Sequence, residues 1–446
     1  MGTTDDELCD VTVVGAGAAG LACATDLSAA GLRVRLLEAD DTVGGRMRTD
    51  RIAGFTVDRG FQVFNTAYPQ VKRRLDLRAL RLRPFTPGVL VHTDDGMRRF
   101  TDPSRRFRES RDLLPGRLAS GRDLLALGAL TARDVLAPAA RLRARPDSTT
   151  LTALADAGVS PDLVETFFRP FLSGVFLEDD LETSARFFHF VWRSMLRGTL
   201  CLPADGIGAV PAQLASRLPP DVLRTDSPVA ALTPQGVRLT DGAEVRSPTV
   251  VVATGQRAAA ELLPGLAVPR GRIVTTLYHA TANPPLPEPV LVVDSRRRFL
   301  NTCVLTAVHP RYSPDGRALV STSVLGTPDA QAVDAVVRAL GEVYDTDTGA
   351  WELVHRVTVR DALPAMPAPH PLSQTTRVAP GRYVCGDHRA TGSLQGALAS
   401  GTRAAREVLA DARRDTGGSA GRATGSGTGH GTGPDTGPDT GHGTGR

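Results

Sequence analysis

The clearest hydrophobic pattern lies near the start of the chain. Residues 11–14 form an apolar run without charges, which predicts a short buried strand. The next segment is rich in Ala and Leu and predicts a helix over about 18–30, with Gly31 as the residue that follows its C-terminus. A second apolar run, 34–37, predicts a second strand. The chain therefore begins with the strand, helix and strand of an α/β fold.

The turn between the first strand and the helix carries glycines with the G-x-G-x-x-G spacing. Gly15 would make the tight turn, Gly17 would let a pyrophosphate approach the backbone, and Gly20 would let the helix pack close to the strand. The N–H groups at the start of the helix would hold the diphosphate. Glu38 ends the second strand, where a dinucleotide fold places the carboxylate that binds a ribose hydroxyl. A glycine-rich turn of another α/β protein would not explain this acid at the end of an apolar strand.

The glycine motif alone does not separate NAD from FAD, but the following residues do. In Gly44-Gly45-Arg46, the two glycines would let a ligand come close to the backbone, and Arg46 would supply a positive charge for a phosphate group. This stretch resembles the flavin superfamily of amine oxidases, protoporphyrinogen oxidases and carotenoid (phytoene-type) desaturases, and Asp58-Arg59-Gly60 resembles its D-x-G motif. The resemblance implies that the cofactor is FAD.

The end of the chain carries a second part of the same resemblance. Gly386-Asp387 and the segment 392–401 resemble the G-D and S-x-E-G-A-x-x-S-G motifs of carotenoid desaturases, with Gln395 where Glu is usual. The resemblance implies that Asp387 contacts the ribityl or pyrophosphate part, that the Leu394 backbone lies near the flavin ring, and that the backbone of Val229 binds adenine. The predicted cofactor-binding residues are Gly15, Gly17, Ala18, Ala19, Gly20, Glu38, Ala39, Gly44, Gly45, Arg46, Val229, Gly386, Asp387, Ser393 and Leu394.

The resemblance implies an α/β fold with a Rossmann-like, glutathione-reductase-like FAD domain and an interleaved α+β substrate domain. The predicted FAD domain consists of 8–90, 202–256 and 375–412, and the predicted substrate domain of 91–201 and 257–374. We also expect a helix from about 203 to 218, a strand over 303–307 and a last helix that ends at about Ala412. Residues 415–446, with repeated T-G-P-D and H-G-T-G, cannot bury a core and are predicted to be a disordered tail.

The segment 112–145 has helical periodicity, with leucines set among many arginines. One interpretation is a monotopic pair of helices whose basic face contacts anionic lipid. The other is a helical cap on the substrate domain with solvated arginines. We favour the cap because Asp112, Asp123 and Asp134 interrupt the basic face.

Aromatic residues cluster in 167–176 and 187–192 of a chain that is only 5% aromatic. They could line a cavity for a flat or long apolar substrate, or they could be core. The run 170–176 resembles a motif of protoporphyrinogen oxidases, which places the two interpretations on an equal footing.

Composition excludes several classes of protein. The net charge of +4 over 446 residues gives no reason to expect nucleic acid binding. Five scattered cysteines without C-x-x-C spacing argue against a disulfide framework and a metal site, and fit a reducing cytoplasm. No apolar run approaches the roughly 20 residues of a membrane-spanning helix, and the polar start is not a signal peptide. Membrane contact would therefore be peripheral.

A single dinucleotide fingerprint indicates that the substrate itself reduces the flavin, and that O2 or a quinone reoxidises it. We expect hydride transfer from a largely apolar substrate to non-covalent FAD, by an enzyme of desaturase or protoporphyrinogen-oxidase type. Two departures from the family count against an amine oxidase. Amine oxidases keep a lysine in the sheet of the substrate domain that holds a water at the flavin, whereas the only lysine here, Lys72, comes far too early in the chain to take that place. Ser393 also stands where those enzymes have an aromatic residue. An amine oxidase and a non-catalytic FAD-binding protein stay open as alternatives. Cys385 is expected to be core.

Four histidines are candidates for acid–base chemistry: His189, His279, His309 and His388. Since lone histidines are more often structural, no catalytic residue is assigned from the sequence.

Overall fold

The computed structural model describes residues 8–101 and 119–422. Its strands are β1 (Val11–Val14), β2 (Val34–Leu37), β3 (Thr49–Ile52), β4 (Phe55–Asp58), β5 (Phe64–Asn65), β6 (Arg83–Pro84), β7 (Val89–Thr93), β8 (Gly96–Phe100), β9 (Leu200–Leu202), β10 (Leu223–Arg224), β11 (Val229–Thr233), β12 (Gly236–Leu239), β13 (Glu244–Arg246), β14 (Thr249–Val252), β15 (Gly271–Thr281), β16 (Leu291–Asp294), β17 (Asn301–Val304), β18 (Ala318–Leu325), β19 (Glu352–Pro364), β20 (Arg377–Ala379) and β21 (Arg382–Val384).

Its α-helices are α1 (Ala18–Ala29), α2 (Pro69–Arg74), α3 (Gly121–Leu136), α4 (Ala139–Ala144), α5 (Thr150–Asp156), α6 (Pro161–Leu163), α7 (Arg169–Phe176), α8 (Ala185–Arg197), α9 (Ala209–Ala215), α10 (Gln256–Leu262), α11 (Leu305–Val308), α12 (Ala330–Tyr344) and α13 (Leu394–Arg422). A π-helical turn covers Val164–Phe168, and 3₁₀ turns cover Pro310–Tyr312 and Asp387–Arg389.

A six-stranded sheet in the order β10-β2-β1-β14-β21-β20 forms the first layer. Its first five strands are parallel, with Val11 opposite Val34 on one side and opposite Thr249 on the other. β1 is buried along its whole length, as expected for a central strand of a parallel sheet covered on both faces. Helices α1 and α13 pack against each other and share one hydrophobic core with β1. The predicted α/β fold is confirmed.

A seven-stranded sheet in the order β19-β15-β18-β17-β16-β7-β8 forms the second layer. It is antiparallel except where β7 and β16 run side by side in parallel. Helix α12 buries Val336, Leu340 and Val343 in a core shared with β15, β16 and β18. The helices α3 and α6–α8 form a separate core that includes Val91 and Val293 of this sheet.

The aromatic cluster lies in this helical layer. Phe167 stacks on Phe100 with ring centroids 3.8 Å apart, and on Phe171 at 5.5 Å. Phe168 packs against Trp192 at 5.6 Å. All five rings are buried, so the cluster contributes to the core through close aromatic contacts.

Three predicted boundaries differ from the structure. The helix expected over 203–218 is only α9, because the residues before it form turns in which Gly206 has a φ of +87°. The strand expected over 303–307 ends at Val304 and continues as α11. The last helix runs ten residues past the expected Ala412, to Arg422, so residues 415–422, which we predicted to belong to the disordered tail, are helical. Residues 112–118 and 423–446 of the predicted helical segment and tail lie outside the described residues.

Asp58, at the end of the β3–β4 hairpin, connects the beginning of the chain to its middle. The carboxyl oxygen Oδ1 accepts hydrogen bonds from the Thr49 hydroxyl at 2.5 Å and from the Ile207 N–H at 2.9 Å. The Gly208 N–H in turn donates to the Thr49 hydroxyl at 2.8 Å. Burial raises the pKa of Asp58 to about 6. The hairpin therefore fixes the turn at 206–208, at the cost of burying an ionisable carboxyl group.

We predict that the contribution of Asp58 to the free energy of unfolding falls as the pH rises from about 4 to about 6, because the folded state holds on Asp58 a proton that the unfolded state has already released. Asp58→Asn keeps an oxygen that can accept the hydrogen bonds from Thr49 and Ile207, and it removes the ionisable carboxyl group. The melting temperature of the variant relative to the wild type should therefore rise through this window, by the equivalent of about 2 kcal/mol, and stay constant above it.

Asp50→Asn is the matched control, since Asp50 lies on the same hairpin but is partly exposed and paired with Arg59 at 2.7 Å. Thermal melts of the three proteins at about pH 4.5, 5.5, 6.5 and 7.5 make the measurement. A difference between Asp58→Asn and the wild type that does not change with pH would contradict the assignment.

Candidate functional site

The turn between β1 and α1 forms an open cradle for an anion. Gly15 has a φ of +101°, which a residue with a side chain rarely adopts. A Cβ on Gly20 would lie 1.9 Å from the Gly15 carbonyl oxygen, whereas a Cβ on Gly17 would meet no described atom within 4 Å. No described side chain caps α1, so the N–H groups of Ala18 and Ala19 are left for a ligand. The helix terminus therefore has the space and the donors that a diphosphate needs.

Glu38 is buried beside this cradle. Its Oε2 accepts a hydrogen bond from the Ala16 N–H at 2.6 Å, and its Oε1 accepts one from the Asp40 N–H at 3.1 Å. The Glu38 carbonyl accepts from the Ser227 N–H at 2.8 Å, which brings the chain just before Val229 to the same place. The residues predicted to bind the ribose and the adenine, Glu38 and Val229, are therefore close to each other.

The second glycine pair folds back onto the first. The Gly44 N–H donates to the Ala16 carbonyl at 3.0 Å, and Gly17 and Gly44 form an isolated bridge. The φ angles of Gly44 and Gly45 are +122° and +59°. A Cβ on Gly45 would lie 3.7 Å from the Gly17 Cα, so the two backbones form one wall.

Arg46 and Asp387 meet in an ion pair across 341 residues of sequence. The Arg46 guanidinium donates to Asp387 Oδ1 at 2.6 Å and to the Ala362 carbonyl at 2.9 Å. The side chain of Asp387 is only 7% exposed, and the Gly386 N–H donates to the Ser400 hydroxyl at 3.2 Å. Two predicted cofactor residues from opposite ends of the chain therefore form one charged group.

The N-terminus of α13 completes this edge. The Ser393 hydroxyl accepts from the Gly396 N–H at 3.1 Å and so caps the helix that begins at Leu394. The Gln395 Oε1 accepts from the Gln70 N–H at 2.9 Å, which joins α13 to α2. Gln395 thus has a structural role in the place where desaturases have Glu.

These groups lie at the carboxyl ends of β1, β2, β14 and β21, where open parallel sheets bind ligands. An uncapped helix, an acid for ribose, a cation for phosphate and glycine walls without side chains fit FAD. Sequence reasoning missed Thr254, whose Cα lies 3.2 Å from the position of a Cβ on Gly15. The sequence feature that could have identified Thr254 is a Thr-Gly pair directly after the apolar run 250–253.

The structure also contains an apolar cavity of about 420 Å³. Its described lining residues are Val63, Phe85, Thr86, Pro87, Gly88, Val89, Phe100, Thr101, Leu124, Leu127, Gly128, Thr131, Phe167, Phe171, Trp192, Met195, Leu196, Gly198, Thr199, Leu200 and Leu291. None of them is ionisable. Val63 follows Gln62, whose side-chain amide donates to the Arg46 carbonyl at 2.7 Å, so the sequence neighbour of one lining residue contacts the cradle.

Both interpretations of the aromatic cluster hold in part. Phe167, Phe171 and Trp192 line the cavity, while Phe168 and Phe188 lie wholly within the core. The cavity has a volume typical of small-molecule sites.

None of the four candidate histidines lines the cavity. His189 is paired through Nδ1 with Asp134 at 2.7 Å, and His309 accepts from the Arg311 N–H at 3.1 Å. Burial lowers the pKa of His279 and of His388 to about 4. His388 lies in the 3₁₀ turn Asp387–Arg389, where its ring packs against Gly386. The structure therefore assigns no acid–base residue.

Lys72 and Cys385 also lie away from the cavity. Lys72 is exposed on α2. Cys385 is buried, and the proximity of its thiol together with burial raises the pKa of Cys23 well above its ordinary value. In the part of the chain that the structure describes, no helix has the length and hydrophobicity to cross a membrane, and no cluster of His, Cys, Asp or Glu could hold a metal ion.

Comparison with known proteins places these features in a family. The family model for flavin-containing amine oxidoreductases matches residues 18–409. A hydroxysqualene dehydroxylase from Sinorhizobium fredii is 28% identical over 439 residues, which cover 90% of this chain and 99% of that protein. A coproporphyrinogen III oxidase from Propionibacterium freudenreichii is 37% identical, but over only 84 residues, which cover 19% of this chain and 16% of that protein.

Solved structures show the same fold. An oxidoreductase from Methanosarcina mazei superimposes with a TM-score of 0.69 at 17% identity, over 90% of this chain and 99% of that one. A cyclohexylamine oxidase from Brevibacterium oxydans superimposes with a TM-score of 0.64 at 16% identity, over 91% and 99% of the two chains.

We predict that Gly17→Ala and Gly20→Ala act on different properties. The Cβ of Gly17→Ala would enter the cradle, so FAD affinity should fall by at least about tenfold while the stability of the apoprotein changes by less than about 1 kcal/mol. The Cβ of Gly20→Ala would collide with the Gly15 carbonyl, which should cost about 1–3 kcal/mol of stability. Flavin titration and melting of the apoproteins measure the two effects. If Gly17→Ala bound FAD normally, the cradle would not be the diphosphate site.

We also predict that Asp387→Asn weakens FAD binding by about one to two decades, because Arg46 loses the charged partner that orients it. Asp294→Asn is the matched control: Asp294 is also a buried carboxylate, paired with Arg298 at 2.8 Å, but it lies in the second sheet. The control should lower the melting temperature and leave the FAD affinity unchanged. Equal FAD affinities in Asp387→Asn and the wild type would remove Asp387 from the site.

Proposed function

The chain belongs to the flavin-containing amine oxidoreductase family, and from this premise we propose that it is an FAD-dependent oxidoreductase that takes a hydride from an uncharged, largely apolar substrate. The flavin is held without a covalent bond. Of the activities in the family, the proposal favours one of desaturase type over an amine oxidase.

The residues of the cradle would hold FAD by its polar parts. The N–H groups at the start of α1 and Arg46 would bind the diphosphate, Glu38 the ribose, and the Val229 backbone the adenine. Asp387 would orient Arg46 and reach the ribityl or pyrophosphate part, and the backbone at 393–394 would lie at the flavin ring. When bound there, FAD supplies a hydride acceptor.

The observation that carries the proposal is the uncharged lining of the cavity. An ammonium or carboxylate group would lose its hydration there and find no ionic partner among the described lining residues, which costs several kcal/mol by order of magnitude. The polar side-chain groups of the described lining include hydroxyls, such as that of Thr131, which accepts a hydrogen bond from the Trp192 indole at 3.2 Å. An apolar body with at most a neutral polar group fits this lining, whereas an amine or a tetrapyrrole carboxylate does not.

Two further features support the proposal. Relatives aligned over nearly their whole length are named hydroxysqualene dehydroxylases, and a hydroxysqualene is a neutral hydrocarbon-like molecule. The chain has one dinucleotide fingerprint, which favours reduction of the flavin by the substrate and its reoxidation by O2 or a quinone. Contact with membranes would be peripheral, and the enzyme would work in the cytoplasm.

The test uses the purified holoprotein, from which heat should release intact FAD. Under anaerobic conditions, a neutral isoprenoid such as phytoene should bleach the flavin absorbance, whereas a monoamine and a porphyrinogen should leave it unchanged. Bleaching by the amine or the porphyrinogen alone would overturn the assignment of substrate class. Flavin that stays attached after denaturation would overturn the non-covalent binding.

A matched pair of variants connects the bleaching to the cavity. Gly128 lines the cavity and a Cβ there would meet no described atom within 4 Å, so Gly128→Leu should occupy part of the cavity and slow bleaching by at least about tenfold without loss of FAD. Ala132→Leu, at an exposed position of the same helix, should bleach like the wild type. Equal rates in the two variants would exclude this cavity as the substrate site.

A further inference from the structure

The hydroxyl groups in the cavity wall differ in what they are bonded to. Among the described lining residues, those with a hydroxyl group are Thr86, Thr101, Thr131 and Thr199. Thr101 donates its hydroxyl hydrogen to the Pro87 carbonyl at 2.9 Å. Thr199 is exposed, so water can bind its hydroxyl group. The hydroxyls of Thr86 and Thr131 are therefore the ones that stay available to a molecule inside the cavity.

The hydroxyl group of Thr131 has an orientation that the protein sets. The Trp192 indole donates a hydrogen bond to Thr131 Oγ1 at 3.2 Å, and both residues line the cavity. This bond occupies a lone pair of the oxygen and leaves the hydroxyl hydrogen free. No described residue accepts that hydrogen, and this includes the carbonyl one turn earlier on α3, which helical threonines often use. For Thr86, no contact with a described residue sets the direction of the hydroxyl group.

Contacts between α3 and α8 hold this hydroxyl and this indole side by side. The Asp134 carboxylate, about one turn further along α3, is fully buried and pairs with His189 Nδ1 at 2.7 Å. The Arg193 guanidinium donates to the carbonyl oxygens of Asp134 and Ala137, each at 2.6 Å. A buried pair and two charged hydrogen bonds therefore join the last turns of α3 to α8.

The indole ring of Trp192 is also fixed from the side of the core. The ring is buried and packs against Phe168 and Phe188, with centroids 5.6 and 6.1 Å away. A buried indole N–H needs an acceptor, and Thr131 Oγ1 is the acceptor here. Donation into this oxygen also makes its own hydrogen a better donor. The direction of hydrogen bonding is therefore set before a ligand arrives, from indole to hydroxyl and from hydroxyl to ligand.

We infer that Thr131 is a specificity-determining residue, whose hydroxyl donates a hydrogen bond to an uncharged oxygen atom of the substrate. The substrate is then an apolar molecule that carries a hydroxyl, carbonyl or ether oxygen at one position. A hydrocarbon of the same shape fits the apolar wall but leaves the Thr131 hydrogen without an acceptor. This role rests on the proposed function only in taking the cavity as the substrate site.

The experiment compares three uncharged ligands that differ at one end: farnesol, farnesal, and the hydrocarbon with a methyl group in place of the CH2OH group of farnesol. Tryptophan fluorescence of the holoprotein at a fixed detergent concentration gives the dissociation constants, since Trp192 lines the cavity and the other tryptophan, Trp351, does not. Thr131→Val should weaken the binding of farnesol and of farnesal by at least about fivefold and change that of the hydrocarbon by less than about twofold. Each ligand is compared with itself, so the free energy of its transfer from water cancels.

Two variants are matched controls. Thr131→Ser keeps the hydroxyl group and should bind the three ligands with the same order of affinities as the wild type. Thr101→Val removes a hydroxyl of the same wall that is already bonded to Pro87, so the ratio of the farnesol and hydrocarbon affinities should stay as in the wild type. Flavin absorbance and the melting temperature show whether each variant is folded.

Equal weakening of all three ligands by Thr131→Val would overturn the inference, because Thr131 would then act on the shape of the cavity alone. Weakening of farnesol but not of farnesal would also overturn it, since Thr131 would then accept a hydrogen bond from the ligand. So would a selective loss in Thr86→Val with none in Thr131→Val. The binding measurement needs no turnover, whereas anaerobic bleaching does, so failure of the proposed function and failure of this assignment give separate results.

Discussion

The ion pair between Arg46 and Asp387 is the interaction on which the arrangement of the site depends. It joins the first segment of the cofactor layer to the last, and the Ala362 carbonyl from the end of β19 accepts a further hydrogen bond from the same guanidinium. Breaking a largely buried ion pair by removing one partner is strongly unfavourable, so the three segments are held at fixed distances from one another. Because Ala362 belongs to β19, the pair also connects the first sheet to the second.

A single short stretch, 58–63, transmits this order from the cradle to the cavity. Asp58 fixes the turn at 206–208, Gln62 donates to the Arg46 carbonyl, and Val63 lines the cavity. One stretch of six consecutive residues therefore has contacts both at the cradle and at the cavity. An apolar substrate needs few charged partners where packing of this kind fixes its position.

Local features of the site could be predicted from the sequence, whereas long-range pairings could not. The bounds of β1, α1 and β2 followed from apolar runs and glycine spacing, because each depends on neighbours within a few residues. The pairing of Arg46 with Asp387 has no local signal. The periodicity of α3 showed that it is amphipathic but not which of its faces meets the core, so the burial of Asp123 and Asp134 was unforeseen. The shortened α9 reflects the turn at Gly206, which the hairpin at Asp58 imposes from far along the chain.

The strand order of the first sheet has a consequence for biosynthesis. β1 pairs with β2 as soon as both leave the ribosome, but its other edge waits for β14, whose Thr249 lies opposite Val11. At ordinary rates of translation, the delay between these two residues is roughly ten to fifty seconds. During that time the Val-Thr-Val-Val strand has no partner on this edge, and an unpaired strand edge is a template for aggregation. The order of synthesis therefore leaves this edge of β1 without its native partner until the middle of the chain has been made.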